Sequence, residues 1–376
     1  MPSGSTSRPA PRAGRTGAPA TIALAAALCA SACSSGSPES KQAAGAPVSA
    51  GPSGPVLYVS NETAGTVAIL DGSTGAVEAQ VAVGKRPRGV KLSRDGSRLF
   101  VALSGSPIGG PGVDESKLPP ADRSADGIGV VDLASRKVER IYPSGPDPEA
   151  FDVSPDGKTL YVSNEDTSAV AVVDLDKGVV AKSVSICGEP EGVTVAPDGR
   201  TVYVTCEADG AVAAIDTTSF QVLAQIPTAP RPRGIVFSRD GGTIFVTCEN
   251  GAGLTVIDAA THKATGKIAL TIPGVNEFPA RPMGALLSRD GQQLFVTTGR
   301  AKAVVTVDPA TRQQTRVIQD VGARPWGIAV SLDGARLYTA NGPSGDVSFI
   351  DAAKGVVERR VSIGGSPWGV VVGARR

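Results

Sequence analysis

Charged side chains bracket a proline repeatedly in this chain of 376 residues. Arg86 and Arg88 flank Pro87, Asp147 and Glu149 flank Pro148, and Glu189 and Glu191 flank Pro190. Arg231 and Arg233 flank Pro232, and Arg281 and Met283 flank Pro282. The last two copies carry the only tryptophans of the chain, in Arg324-Pro325-Trp326 and Ser366-Pro367-Trp368. Acids recur at a second set of positions, Glu62, Glu165, Glu207 and Glu249, each directly after an Asn or a Cys. Carboxylates and guanidinium groups gathered in one place can bind a polar ligand or partner, and carboxylates beside arginine can also serve hydrolysis. Other chemistries are excluded. The single histidine, His262, rules out sites built on several imidazole ligands and leaves no nucleophile–histidine pair. The chain has no Walker, Rossmann, CxxC or HExxH pattern, so neither metal nor cofactor is expected. Lys and Arg number 37 against 36 Asp and Glu, and aromatics make 4%, which argues against a nucleic-acid surface.

The elements that must position these residues follow from a repeat. Pro-x-Gly, once Pro-x-Ala, recurs at Pro87, Pro148, Pro190, Pro232, Pro282, Pro325 and Pro367, with spacings of 61, 42, 42, 50, 43 and 42. This is a 42-residue period with insertions of 19 and 8 residues, the longer one within 103–127. Six copies continue with an Asp-Gly turn at Asp95, Asp156, Asp198, Asp240, Asp290 and Asp333. An apolar run such as Leu160-Tyr161-Val162 comes next, and then a run ending in Asp. Four short strands per repeat and no helical segment predict an all-β, seven-bladed β-propeller with four antiparallel strands per blade. The seventh copy is split between Leu57–Asp71 and Pro367-Trp368-Gly369, so the C-terminal inner strand should join three N-terminal strands and close the ring. The Asp residues ending the third runs read as turn starters rather than metal ligands. Loops entering the inner strands and leaving the second strands share one face of a propeller. The candidate residues should therefore ring the channel mouth, with an acidic sector on two blades, arginines on either side and the tryptophans on neighbouring blades.

The N-terminal residues are of another kind. Arg8, Arg12 and Arg15 precede an apolar run from Ala20 to Leu28, and Ala30-Ser31-Ala32-Cys33 follows. This reads as an export signal over 1–32. Residues 33–55 read as a flexible, Pro/Gly/Ser-rich tether, and 56–376 as the propeller. Ala-Ser-Ala-Cys resembles the lipobox of bacterial lipoproteins, which makes Cys33 the expected lipidation site; ordinary signal peptidase would cut the same bond. Ser34 after the cysteine favours outer-membrane sorting in a Gram-negative cell.

The repeats resemble the YVTN family of β-propellers over 56–376. The order of Gly84-Lys-Arg-Pro-Arg-Gly, Gly145-Pro-Asp-Pro-Glu-Ala-Phe, Glu189-Pro-Glu-Gly and Asn341-Gly-Pro-Ser-Gly-Asp-Val resembles the PQQ-dependent catabolism-associated β-propeller proteins. That resemblance implies an exported protein near quinoprotein alcohol oxidation or transport systems and supplies no catalytic residues. The expectation is a monomeric, lipid-anchored binding or docking module rather than an enzyme. Its partner would be a periplasmic protein, such as a quinoprotein dehydrogenase or transport system, or a small ligand. The alternative is a lactonase-type hydrolase using the same charged mouth. Two blander readings stand beside these: Arg and Glu pair across blades and pin the loops, or the tryptophans plug the channel. His262 reads as a solvated surface residue. Cys187, Cys206 and Cys248 read as small reduced side chains or, alternatively, as a Cys187–Cys206 bridge with Cys248 free.

Overall fold

The computed structural model describes residues 54–109, 113–275 and 280–375; the export segment and Cys33 lie outside them. Seven four-stranded antiparallel sheets form the blades of a propeller. Blade 1 pairs Pro367–Ala374 with Pro55–Asn61, which continues into Thr66–Asp71 and Val77–Ala82. Tyr58 sits opposite Val371, so the two ends of the folded chain meet in one ladder and no sheet edge is left open at the join. Blades 2 to 7 span residues 90–142, 148–185, 190–227, 232–269, 282–318 and 325–362.

The core lies between blades. Tyr58 and Ile69 of blade 1 pack with Leu99 and Val101 of blade 2, and Phe100 and Ile128 of blade 2 pack with Phe151 and Val162 of blade 3. The second and third strands are covered on both faces, which is why Leu160, Tyr161 and Val162 are all buried although their side chains alternate. Each such aliphatic side chain contributes about 1.5–3 kcal/mol through burial. Outer strands such as Val179–Ser185 lie mostly open to solvent. The turn-forming aspartates do what their positions predict. Gly157 and Gly199, each after an Asp, hold φ of 75° and 74°, and Asp216 accepts the Thr218 and Ser219 amides at 3.1 and 2.6 Å.

The Pro-x-Gly motif has a structural cause. In blade 4 the inner strand pairs Pro190 with Cys206 and Val193 with Val204, so a bulge falls on Glu191-Gly192. The same irregularity recurs at Pro148, Pro232, Pro282 and Pro325. A bulge re-aims the residue after the proline and takes the next amide out of the ladder. That amide, on Gly192, donates instead to Thr205 Oγ1 at 2.8 Å, and the same hydroxyl donates to Arg233 O of the next blade at 2.9 Å. Ser60, Ser163, Thr247 and Thr297 repeat this clasp between successive blades. The glycines let inner strands approach. A Cβ on Gly192 would lie 2.3 Å from Arg233 O, and one on Gly284 2.5 Å from Trp326 O.

Candidate functional site

Each blade delivers up to three side chains to the channel mouth: one before the proline, one after it, and one where the second strand ends. The residue before the proline is left-handed in six blades: Arg86, Asp147, Glu189, Arg231, Arg281 and Arg324 have φ between 40° and 59°. Such backbone is costly for a side chain larger than glycine and is retained where surrounding structure imposes it. At the mouth it falls on charged residues; elsewhere it recurs at turns such as Arg136, Phe220 and His262. The residue after the proline, aimed by the bulge in every blade but blade 2, contributes Arg88, Glu149, Glu191, Arg233, Met283, Trp326 and Trp368. Second-strand exits contribute Glu62, Glu165, Glu207 and Glu249. Their equivalence is fixed by the same contact, since the Glu62, Glu165, Glu207 and Glu249 amides bond the carbonyls of Ser366, Asp147, Glu189 and Arg231. Blades 6 and 7 have Gly299 and Gly342 at this point, bonded to the carbonyls of Arg281 and Arg324.

All of these side chains but Met283, which lines the channel below, line one cavity of about 820 Å³. Below it, a channel of about 270 Å³ runs between the inner strands, and Glu191, Arg233, Trp326 and Trp368 line both spaces. The tryptophans thus form part of the floor between mouth and channel. The insertion expected within 103–127 reaches the rim: Arg86 donates to Ser106 O and Pro107 O at 3.1 Å, and Arg123 pairs with Asp166.

Two guanidinium groups organise the charged sector. Arg88, 3% exposed, donates to Asp147 at 2.5 Å, pairs with Glu149, and stands 3.8 Å from Glu165. Ser104 Oγ also donates to Asp147, a contact the sequence does not advertise. Arg233 pairs with Glu191, with Glu207 at 2.8 Å and with Glu249 at 3.2 Å. Three carboxylates around each buried arginine leave an excess of acid that favours holding protons. Burial raises the Glu149 and Glu191 carboxyls above the usual range, against the pull of Arg88 and Arg233. Asp147 and Glu249 stay below it, because their arginines and hydrogen bonds outweigh burial. Glu165 differs in being open. Its side chain is 33% exposed, and burial, then Glu149, raise its carboxyl to about 7.

Exit acids also reach the residue before the next proline. Glu62 pairs with Arg86 at 2.9 Å, Glu207 pairs with Arg231, and Glu249 pairs with Arg281 at 3.0 Å. Glu189 is exposed at the rim. Of the six mouth arginines, Arg324 alone makes no ion pair among the described residues. It lies over the Trp326 ring at 4.5 Å, with Arg233 at 5.7 Å from the same ring. Trp326 and Trp368 stack with centroids 5.8 Å apart and planes at 17°. Burial, then Arg233, Arg231 and Arg281, lower the Arg324 guanidinium against the pull of Glu249.

Elsewhere, Cys187 and Cys206 form a disulfide with Cα atoms 5.7 Å apart, and Cys248 is buried and free. His262 departs from the expected solvated residue. Its Nδ1 shares a hydrogen bond with the Tyr203 hydroxyl at 2.8 Å, holding the outer turn of blade 5 against blade 4.

No family model and no curated protein matches this chain. Solved structures do. The periplasmic gluconolactonase of Pseudomonas aeruginosa is similar at 23% identity and a TM-score of 0.66, over 85% of this chain and 98% of that one. A candidate 6-phosphogluconolactonase of Bacteroides fragilis is similar at 15% identity and a TM-score of 0.68, over 86% and 99%. The hydrazine synthase structure of Kuenenia stuttgartiensis aligns at 21% identity and a TM-score of 0.62, over 80% and 95%. At these identities the likeness establishes the propeller fold. The expectation of a non-catalytic docking module is corrected on two grounds. The neighbours include proteins named for lactone hydrolysis, which favours the enzyme alternative. The charges expected to be displayed to a partner are also turned inward and paired, with Arg88, Glu149, Glu191, Glu207 and Glu249 all buried.

Proposed function

We propose that the mouth hydrolyses a lactone, with Glu165 as general base. The observation that carries this reading is a half-open carboxyl, raised to about 7, beside the closed Glu149, Glu191, Glu207 and Glu249 in a charged cavity. A base is most useful when it titrates near the working pH. In its ionised form Glu165 takes a proton from water as the water oxygen attacks the lactone carbonyl carbon. The ring C–O bond then breaks, the departing alkoxide takes the proton back from Glu165, and a hydroxy acid leaves. Arg88, fixed by Asp147 and Glu149, holds the ionised carboxylate in place; it is a positioning residue. Two lines of support come from outside the mouth: the lactonase names of two neighbours and the absence of any need for histidine in this scheme.

The setting proposed is outside the cytoplasmic membrane. The basic-apolar N-terminal segment ending at Cys33, the Cys187–Cys206 disulfide and a periplasmic neighbour all support it, with Cys33 as the proposed lipid anchor. The YVTN-like motifs that resemble quinoprotein-associated propellers fit the same scheme, since two-electron oxidation of a cyclic hemiacetal yields a lactone. The test is a panel of sugar lactones assayed with the mature protein and its Glu165→Gln variant, with spontaneous hydrolysis subtracted. Hydrolysis that falls about 100-fold or more in the variant is expected. A panel without turnover, or a variant as fast as the parent, would end the proposal.

A further inference from the structure

The rule that pairs mouth charges breaks at one place. The exit acid of one blade neutralises the arginine before the proline of the next: Glu62 with Arg86, Glu207 with Arg231, Glu249 with Arg281. By that rule Arg324 would be met from blade 6, whose exit residue is Gly299. A Cβ on Gly299 would stand 3.6 Å from Arg324 Cγ, so the two positions are in the same relation and only the carboxylate is missing. Blade 7's own exit is Gly342, also without a charge. Arg324 is nonetheless fixed: left-handed at φ 51°, it lies across Trp326, which stacks on Trp368. All three line the same cavity as Glu165.

We propose that Arg324 and the stacked tryptophans form an anion-binding subsite, and that the lactone bound there carries an acidic substituent, a carboxylate or a phosphate. This rests on the hydrolase reading for the lactone ring and on the mouth geometry for the charge. A guanidinium that makes no ion pair among the described residues offers its fork of N–H donors to a planar or tetrahedral oxyanion. The indole faces offer apolar area to the ring that bears it. The neighbouring arginines, saturated by Glu62, Glu207 and Glu249, leave this corner as the place where an anion gains most.

The chain has two tryptophans and both are in the subsite, so their emission in the unlabelled protein reports binding there without requiring turnover. The probes are glucose, glucuronate and glucose 6-phosphate, ring sugars that differ by no charge, a carboxylate or a phosphate. At least one charged sugar should bind about tenfold more tightly than glucose, the scale of one charge-assisted hydrogen bond, and which one does identifies the substituent. Arg324→Gly removes the cation at a left-handed position that glycine occupies freely. Gly299→Glu keeps the cation and supplies the missing carboxylate. Both should bring the charged sugar down to the level of glucose. Equal binding of all three sugars, no change in emission with any, or a preference that survives both variants would overturn the proposal. Turnover of neutral lactones with no charge preference would remove the subsite and leave the hydrolase. A charge preference with no lactone hydrolysed would remove the hydrolase and leave the subsite.

Discussion

Blades 2 to 5 and blades 6, 7 and 1 build opposite kinds of mouth from the same loops. In the first group every arginine is met by carboxylates, and Arg88 and Arg233 are sunk among three each. In the second, Gly299 and Gly342 stand at the exits of blades 6 and 7 while blade 1 keeps Glu62, Met283, Trp326 and Trp368 follow the prolines, and Arg324 makes no ion pair among the described residues. The backbone is the same in both, down to the left-handed residue before the proline in all but blade 1. A repeat fold can thus hold structure and recognition at equivalent positions, with single residues deciding which sector does which. The charged sector sets protonation; the aromatic sector remains open to a ligand.

The sharpest contrast is in stability. Arg233→Ala leaves Glu191 buried without its cation, and Glu207 and Glu249 with only Arg231 and Arg281, and should cost about 3–5 kcal/mol. Arg324→Gly should change stability by less than about 1 kcal/mol, since relief of left-handed strain offsets a lost cation–π contact. Denaturant unfolding of both variants measures the difference. Equal losses would mean that the two sectors are not distinct. Next in size is the inter-blade contact that both share. Gly192→Ala forces a Cβ to 2.3 Å from Arg233 O and should cost about 1–3 kcal/mol, whereas Gly242→Ala, whose nearest contact is 3.6 Å, should cost little. Similar losses at the two glycines would contradict the close approach.

A smaller effect follows from protonation. Glu149, Glu165 and Glu191 hold protons more tightly folded than unfolded, so the stability they contribute is present below the ordinary glutamate value of 4.5. It is lost as pH rises through their folded values, that of Glu165 being about 7. Asp147 and Glu249, lowered, act in the opposite sense but are ionised in both states above about pH 5. The melting temperature should therefore decline between about pH 5 and 7. A rising melting temperature over that interval would show that the charged sector holds no excess protons.

The architecture was legible because it repeats. The 42-residue period, the Asp-Gly turns and the split blade each appear as residues at fixed offsets. Positions at the mouth were legible for the same reason, and every arginine, acid and tryptophan named from the proline motif lines the cavity or its rim. Their state was not. Burial and pairing run between blades through bulges and left-handed residues, and neither leaves a mark in residue type. Arg281 and Arg324 look alike in sequence, each standing before its proline, and only the exit residue of the preceding blade, Glu249 against Gly299, separates them. The hydroxyl clasp did leave a signal that went unused: Ser60, Ser163, Thr205, Thr247 and Thr297 each stand two residues before a strand exit. His262 was misread because its partner, Tyr203, lies on another blade.

The central claim is that an open carboxylate titrating near 7 does the chemistry of the mouth. Its most direct measurement is the pH dependence of kcat/KM for the lactone turned over fastest, which reports groups of the free enzyme. The expected profile rises with pH, levels through an inflection at about 7 and vanishes in Glu165→Gln, together with most of the rate. A flat profile, or an inflection that persists in Glu165→Gln, would contradict it.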